Sequence, residues 1–342
     1  MIGGIKKFVK SKDSVMIKPN ICNALPPTKA DTTHPLVVKA VAELVKDNCK
    51  NIEIGESSAS ILPYNTIKAF RISGIEQIAD ELGIKLRNLS TESFTDRKIP
   101  KGKIFKEAFI ANAVFEADTI INIPKFKTHK NTFITGAVKN CFALLKKRER
   151  NWLHDVDPAG QNQFSQGVID VFSVIKSKIK LNVMDAVVGM EGFGTAVGKP
   201  KRIGLILASE DAVALDAVIA EVVGFPSSFE IPLVKFAHER RLGTGDVNKI
   251  KICGEKLNNI KISDFELPLT YIKGKEFKLI PIFNENCIKC GECIENCPRG
   301  AISKDFKFDR KKCVCCFICQ ETCSNRGIST MKLKINSMLE GV

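Results

Sequence analysis

Two runs of four cysteines, 26 residues apart, constrain this chain more than any other feature: Cys287, Cys290, Cys293 and Cys297, then Cys313, Cys316, Cys319 and Cys323. Each run has the spacing C-x2-C-x2-C-x3-C, and Pro298 follows the first. Close spacing lets one loop wrap three irons while the fourth thiolate comes from elsewhere. Zinc sites take Cys pairs rather than evenly spaced quartets. The runs therefore point to two [4Fe–4S] clusters, and hence to a chain that handles electrons.

With 342 residues, 44% of them hydrophobic and 26% charged, the chain reads as a globular protein of two domains. Its longest apolar candidate, 211–225, is broken by Asp216 and Glu221 and falls short of the roughly 18 apolar residues of a membrane span. Lys6, Lys7 and Lys10 near the start are not followed by the apolar core of a signal peptide. No membrane partner is expected, and a cytoplasmic location is. Eight of the 13 cysteines fall in the two runs, which fits thiolate ligation in a reducing, oxygen-poor setting better than disulfides.

The formal charge is +14, and two clusters of about −2 each bring it to about +10. A basic balance favours an anionic small molecule or an acidic protein partner. Only Lys146-Lys147-Arg148 and Arg310-Lys311-Lys312 cluster tightly, and two tyrosines and one tryptophan offer little stacking. Nucleic acid is not an expected partner.

Residues 1–253 alternate β-rich runs with helical patterns, the signature of an open, mostly parallel α/β sheet with helices on both faces. Strands are predicted at Ser14–Lys18, Asn51–Gly55, Ile84–Leu89, Thr119–Ile123, Leu181–Met184, Arg202–Ala208 and Lys249–Cys253. Helices are predicted at His34–Cys49, Thr66–Leu82, Ala108–Phe115, Gly136–Arg148, Gly167–Lys178, Asp211–Val223 and Pro232–Arg241. Residues 254–281, with Pro268, Gly274 and Pro281, read as a linker or strap. A small α+β module at 282–330 and a tail at 331–342 complete the chain.

The module repeats internally: 287–303 aligns without gaps to 313–329, with Ile302 equivalent to Ile328. It resembles the bacterial two-cluster ferredoxins. In that family the fourth cysteine of each run crosses to the other cluster. The resemblance implies that Cys287, Cys290, Cys293 and Cys323 hold one cluster and Cys313, Cys316, Cys319 and Cys297 the other. Two residues depart from the pattern: Phe317 replaces a glycine and Ser324 a proline, while Cys315 is spare.

In open α/β sheets, ligands bind at the carboxyl ends of the strands. Those positions carry Lys18-Pro19-Asn20, Glu56-Ser57-Ser58, the segment Lys125–His129 and Asp185 followed by Gly189, Glu191, Gly192 and Gly194. Lys125, Lys127 and His129 alternate and share one face of an extended segment. A helix starting near Gly136 carries Lys139 and Asn140 and offers its N-terminal N–H groups to an anion. The expected acid/base set is Lys125, His129, Glu56 and Asp185, with His129 as proton donor because imidazole titrates near neutral pH. Lys18, Asn20, Lys127, Lys139 and Asn140 are the expected binding set. The Gly189–Gly198 loop matches neither phosphate-binding glycine motif, so neither ATP nor NAD is inferred.

At these residues the chain resembles the domain of unknown function 362 family. The matching pieces are Ile17–Asn20, Asn122–His129, Thr135–Asn140, Met184–Gly198 and Glu210–Ala217. Family members carry a strand and helix ahead of the first piece, so an edge strand is expected to be missing here or the start truncated. His154 falls where the family has a histidine, in either a site or a structural role. The leading expectation is an oxidoreductase that passes electrons from an external redox protein, through two clusters, to a small anion. The alternative is a non-enzymatic electron carrier or cofactor-maturation factor whose α/β domain binds a partner.

Overall fold

The computed structural model describes residues 2–157, 162–195, 197–272 and 277–334. In chain order, β1 (Val15–Pro19), α1 (Pro35–Lys46), β2 (Ile52–Glu56), α2 (Tyr64–Ile72), α3 (Ile75–Leu82) and β3 (Lys85–Asn88) form the first parallel units. A hairpin of β4 (Phe94–Lys98) and β5 (Glu107–Ala111) follows, then α4 (Ala113–Glu116), β6 (Thr119–Ile123), β7 (Lys125–His129) and β8 (Phe133–Thr135). Next come α5 (Ala137–Asn140), α6 (Lys147–Val156), α7 (Asn162–Ile175), β9 (Ile179–Glu191), β10 (Lys199–Ser209), α8 (Ala212–Val222) and α9 (Pro232–Glu239). Two single turns, α10 (Leu257–Ile260) and α11 (Leu269–Ile272), lead to β11 (Phe277–Phe283), α12 (Glu292–Asn296), α13 (Ile318–Glu321) and β12 (Ile328–Lys334).

The main sheet runs β3-β2-β1-β6-β9, all parallel, with β10 antiparallel on β9. β7 continues the path of β6 along the same strand β9, interrupted only at Pro124, whose carbonyl accepts the Asp185 N–H at 2.9 Å. β8 pairs antiparallel with β7. Alternation sends successive side chains to opposite faces. Val15, Ile17, Ile121 and Ile123 face a core built with α1, α2 and α3. Met16, Ile120 and Met184 face a second core with α7, α8 and α9. Each fully buried aliphatic side chain contributes about 1.5–3 kcal/mol, so both faces anchor the sheet as expected.

Four sequence expectations need correction or trimming. Only the end of the helix predicted at Ala108–Phe115 is helical, in α4; before it Glu107 and Phe109 are exposed while Ala108 and Ile110 are buried, a period of two that builds β5. The helix expected over Gly136–Arg148 breaks after Asn140 into a 3-10 turn, and α6 starts afresh at Lys147. Lys249–Cys253 forms no strand; a 3-10 turn at Val247–Lys249 leads into irregular chain. The pattern over Thr66–Leu82 is two helices, parted at Gly74, whose φ of 78° ends the first. β9 is also longer than predicted, so Asp185 lies within it rather than after it.

The strap clamps the larger domain. Phe265 enters its core, Gly192 N–H donates to Glu266 O at 2.8 Å, and the Tyr271 ring meets Phe225 and Phe133 at 4.9 and 5.2 Å. Gly274 and most of the expected tail lie outside the described residues. No helix among the described residues is long and apolar enough to cross a membrane.

α5, which delivers Lys139 and Asn140, is held from outside. Asp216 of α8 accepts the Ala137 and Val138 N–H groups at 2.6 and 3.0 Å. Burial pushes this carboxyl up to about 7, against the pull of those two hydrogen bonds. Replacing Asp216 with Ala leaves two buried donors unsatisfied. We expect D216A to lose about 2–4 kcal/mol in denaturant unfolding of the full chain, with weakened positioning of Lys139.

Candidate functional site

Buried lysines need partners, because an isolated ammonium away from water is strongly disfavoured. Three lysines at the strand ends each find one. Lys125 Nζ lies 2.8 Å from Asp185 Oδ2, and Lys18 Nζ lies 2.8 Å from Glu56 Oε2. Lys127 Nζ donates to Asp31 O at 2.8 Å, with Asp31 Oδ1 at 3.3 Å. The carboxylates are further occupied: Asp185 accepts the N–H groups of His34 and Val187, and Glu56 those of Ser57 and Ile21. Burial lowers the Lys125 pKa while Asp185 opposes the fall.

A chain of amides crosses the sheet beside these pairs. Asn182 Nδ2 donates to Ser209 O, Asn122 Nδ2 to Asn182 Oδ1, Asn140 Nδ2 to Asn122 Oδ1 and Asn20 Nδ2 to Asn140 Oδ1, at 2.8–3.1 Å. Two contacts fix the sense. Asn122 Nδ2 also donates to the Ala137 carbonyl, and Lys18 Nζ, a donor only, faces Asn140 Oδ1 at 3.4 Å. The chain therefore ends on Asn20 Oδ1, which has no partner among the described residues.

That end opens on a cavity of about 80 Å³. Its walls include Asn20, Glu56, Lys127, Lys139 and Asn140 from the expected set. Cys22, Ser57, Thr135, Arg150, His154 and, from the cysteine module, Ile318 and Glu321 also line it. Lys139 makes no hydrogen bond or ion pair among the described residues; its ammonium stands 5.7–5.8 Å from the Phe142 and Phe164 rings. Burial lowers its pKa, with Glu321 as the main opposing charge. Arg150 donates to Ser57 Oγ at 2.6 Å and faces the Ser57 and Ser58 carbonyls. Among the described residues it meets no carboxylate; burial pulls it down to about 10, which still leaves it charged at neutral pH. Lys147 donates to the Ser58 carbonyl next to it. Cys22 is a neutral thiol, pushed up to about 12 by burial and Asp31. With Lys18, Lys125 and Lys127 already matched, Lys139 and Arg150 leave a positive excess that Glu321 only partly offsets, while burial and then Arg150 push the Lys147 pKa well down.

His129 is not part of the cavity wall and reaches it only through Glu321. Its Nδ1 accepts the Asn131 and Thr132 N–H groups at 3.0 and 3.3 Å, so its proton resides on Nε2. That Nε2 lies 3.3 Å from Glu321 Oε1, off the line of a straight hydrogen bond. His154 Nε2 lies 3.9 Å from the other carboxylate oxygen. Burial, then Lys139, lowers His129 to about 4, so it is neutral at neutral pH and has only the Nε2 proton to donate. Burial likewise lowers His154, to about 3. Burial works against the Glu321 charge, but His154, His129 and Lys139 around it hold its carboxyl well below the usual range.

The cysteine module keeps its internal repeat in three dimensions. Gly291 and Phe317 are equivalent, and both start a helix from the left-handed region, with φ of 83° and 62°. Lys289 and Cys315 (54° and 57°) and Gly300 and Arg326 (56° and 55°) repeat the same feature. The Ala301 N–H donates to Cys297 Sγ and the Gly327 N–H to Cys323 Sγ, each at 3.2 Å. Ile302 and Ile328 share one small core with Cys293 and Cys319. No three His, Cys, Asp or Glu side chains among the described residues converge on a lone-ion site. Instead the thiols frame two apolar hollows. One is lined by Cys287, Cys290, Cys293 and Cys323, the other by Cys313, Cys316, Cys319 and Cys297 together with Cys315. Four thiols around an apolar hollow, with N–H groups aimed at sulfur, suit an iron–sulfur cluster.

The module is seated on the larger domain by both halves. Asn296 Oδ1 accepts the Ile61 N–H and Glu292 Oε1 the Asn65 side-chain amide, both at 2.7 Å. In the other half, Lys130 donates to the Cys315 carbonyl and stands 4.1 Å above the Phe317 ring. Phe317 thus fills an apolar contact in a backbone conformation that favours glycine. The glycine-rich loop is also committed to structure. Gly194, at φ 88°, presses on β7, where a Cβ would meet the Thr128 carbonyl at 2.6 Å.

Of the residues expected from sequence, Lys125 and Asp185 bury each other away from the cavity wall, and Lys18 sits behind Glu56. The N-terminus expected to offer N–H groups to an anion is already occupied by Asp216. Arg150, Lys147 and Glu321 were not anticipated. The first two belong to α6, which the sequence reading merged with α5. Glu321 aligns with Glu295 of the first half, which is exposed, so nothing in the pattern singled it out.

The model of a family described as "Domain of unknown function (DUF362)" matches residues 15–221, and that of the "4Fe-4S binding domain" matches residues 280–303. The thylakoid-associated protein sll1697 of Synechocystis is 29% identical over 243 residues, covering 71% of this chain and 72% of that protein. Pyruvate synthase subunit PorD of Methanocaldococcus jannaschii is 40% identical over 53 residues, covering 14% of this chain and 62% of that subunit. PorD of Methanothermobacter marburgensis is 38% identical over 50 residues, with 15% and 62% covered. A lactate racemase apoprotein from Thermoanaerobacterium thermosaccharolyticum aligns at 10% identity and a TM-score of 0.40, covering 60% of this chain and 48% of that one. Matched over more than half of its length, the chain belongs to the DUF362 family, with a 4Fe-4S binding domain toward its C-terminus.

Proposed function

We propose that this protein passes single electrons through two [4Fe–4S] clusters to a small anion bound between its domains. Cys287, Cys290, Cys293 and Cys323 hold one cluster, and Cys313, Cys316, Cys319 and Cys297 the other. The clusters supply one-electron chemistry. The observation that carries the reading is the composition of the cavity. α13, which bears Cys319, contributes Ile318 and Glu321 to the same cavity wall as Lys139 and Arg150. A site for electron delivery needs this adjacency, whereas an isolated anion pocket does not. Lys139 and Arg150 bind the anion, and Asn20 Oδ1 accepts a hydrogen bond from any hydroxyl or amine the ligand carries. The neutral His129 keeps its Nε2 proton toward Glu321. The electron donor is an external redox protein, in keeping with the resemblance of the module to PorD subunits.

A second reading has its own observation. Lys98, Lys101, Lys103, Lys106, Arg240 and Arg241 line an open groove of about 970 Å³, with Glu239 as the one acidic residue in its wall. Such a surface fits an acidic partner protein, in line with a carrier or maturation factor.

Calorimetry on the anaerobically prepared full chain separates the two. Inorganic phosphate or acetate should bind, and Lys139→Ala or Arg150→Ala should each weaken binding by roughly 10- to 100-fold, the equivalent of losing about 1.5–3 kcal/mol from a charged hydrogen bond. Binding that is absent, or indifferent to both substitutions, refutes the cavity reading and leaves the groove. The cluster count has a separate check. The reconstituted protein should carry about eight irons, and Cys323→Ser should perturb the first-run signal rather than the second.

A further inference from the structure

We propose that Lys130 sets the direction of electron flow, making the cluster of the second run the acceptor for that of the first. This rests on the two-cluster reading above. The halves differ in exposure. Cys290 is exposed, and the neighbouring Ile288 is 66% exposed, so the first run faces incoming electrons. Cys316 and Cys319 are buried, and Ile318 and Glu321 beside them wall the cavity. Electrons therefore have to move from the exposed half to the buried one.

Burial alone opposes that movement. A cluster gains negative charge on reduction, and a site away from water solvates that charge less well. Lys130 supplies the compensation. It is part-buried, donates to the Cys315 carbonyl and covers the Phe317 ring. Its electrostatic neighbours are Cys316, Cys315, Glu321 and Cys319. Glu321, the one carboxylate among them, faces His129, His154 and Lys139. In the first half the part-buried Glu292 stands beside Cys323, while the cation of that hollow, Lys289, is exposed and screened by solvent. A part-buried cation next to one site, its neighbouring carboxylate already faced by Lys139, and a part-buried carboxylate next to the other favour the electron at the second. One electron leaves the first-run site and arrives at the second-run site; no bond forms or breaks and no proton moves. The reductant is an external low-potential one-electron carrier protein.

The test is a redox titration of the full-length protein followed by electron paramagnetic resonance. Cys290→Ser and Cys316→Ser variants assign the signals to the two runs. In the wild type the first electron should reside mainly on the second run. Lys130→Met should lower the second-run potential, cutting the ratio of second-run to first-run occupancy by about tenfold or more, while Lys130→Arg retains it. Equal potentials in wild type and Lys130→Met overturn the proposal, as does a shift confined to the first run. So does a loss in Lys130→Arg as large as in Lys130→Met, because that marks a packing role. Iron content distinguishes the deeper failure: about four irons in the wild type refutes the two-cluster reading itself, and the proposal with it.

Discussion

Everything at the strand ends depends on charge taken out of water in matched pairs. Lys18–Glu56, Lys125–Asp185 and Lys127–Asp31 lie almost wholly inside the protein, where removing one partner typically costs about 3–5 kcal/mol. These pairs add little net stability compared with apolar packing. They determine which cations are left over. Three lysines that look like ligand-binding groups in the sequence are spent on the frame, and Lys139 and Arg150 carry the uncompensated charge. The separation follows from electrostatics: a paired ammonium has little field left to offer an anion, while an unpaired one next to a cavity has nearly all of it.

The docked module turns that cavity into a joint structure. Glu321 is the one module carboxylate lining the cavity among the described residues; it faces two neutral imidazoles and lies in the field of Lys139. An ionised Glu321 lies in the field of Lys139 without pairing with it and faces the Nε2–H of His129, so the domain interface and the ligand wall share the same side chains. Disturbing one disturbs the other. Lys130 and Phe317 hold the seat on the opposite side of α13.

Much of this was legible in the sequence for reasons of period. The repeat of two in Lys125, Lys127 and His129 fits an extended segment, although the strand β7 there was not among those predicted, and the spacing of eight cysteines marked two four-thiol sites. The same rule was missed at Glu107–Ala111, where small and aromatic residues imitated a helix. The break between α5 and α6 escaped because Cys141–Leu144 keeps a helical pattern while turning as a 3-10 segment. That bend is what places Arg150 over Ser57 and Ser58. Glu321 was hidden by its own repeat partner, since two identical letters give no sign that one half is docked and the other bare. Pairing choices such as Lys127 with Asp31 are long-range matters of geometry, which local pattern does not encode.

The left-handed positions of the module have a consequence for its history and reuse. Gly291 sits in that conformation freely, whereas Phe317 is held there by its contacts in the fold. The second half has therefore exchanged backbone ease for attachment. A free-standing two-cluster module with glycine at both positions would bring its iron with it if grafted here, yet lack the ring on which Lys130 rests. The module is thus a fitted part rather than an interchangeable cartridge, and its two halves, alike in cysteine spacing, are no longer substitutes for each other.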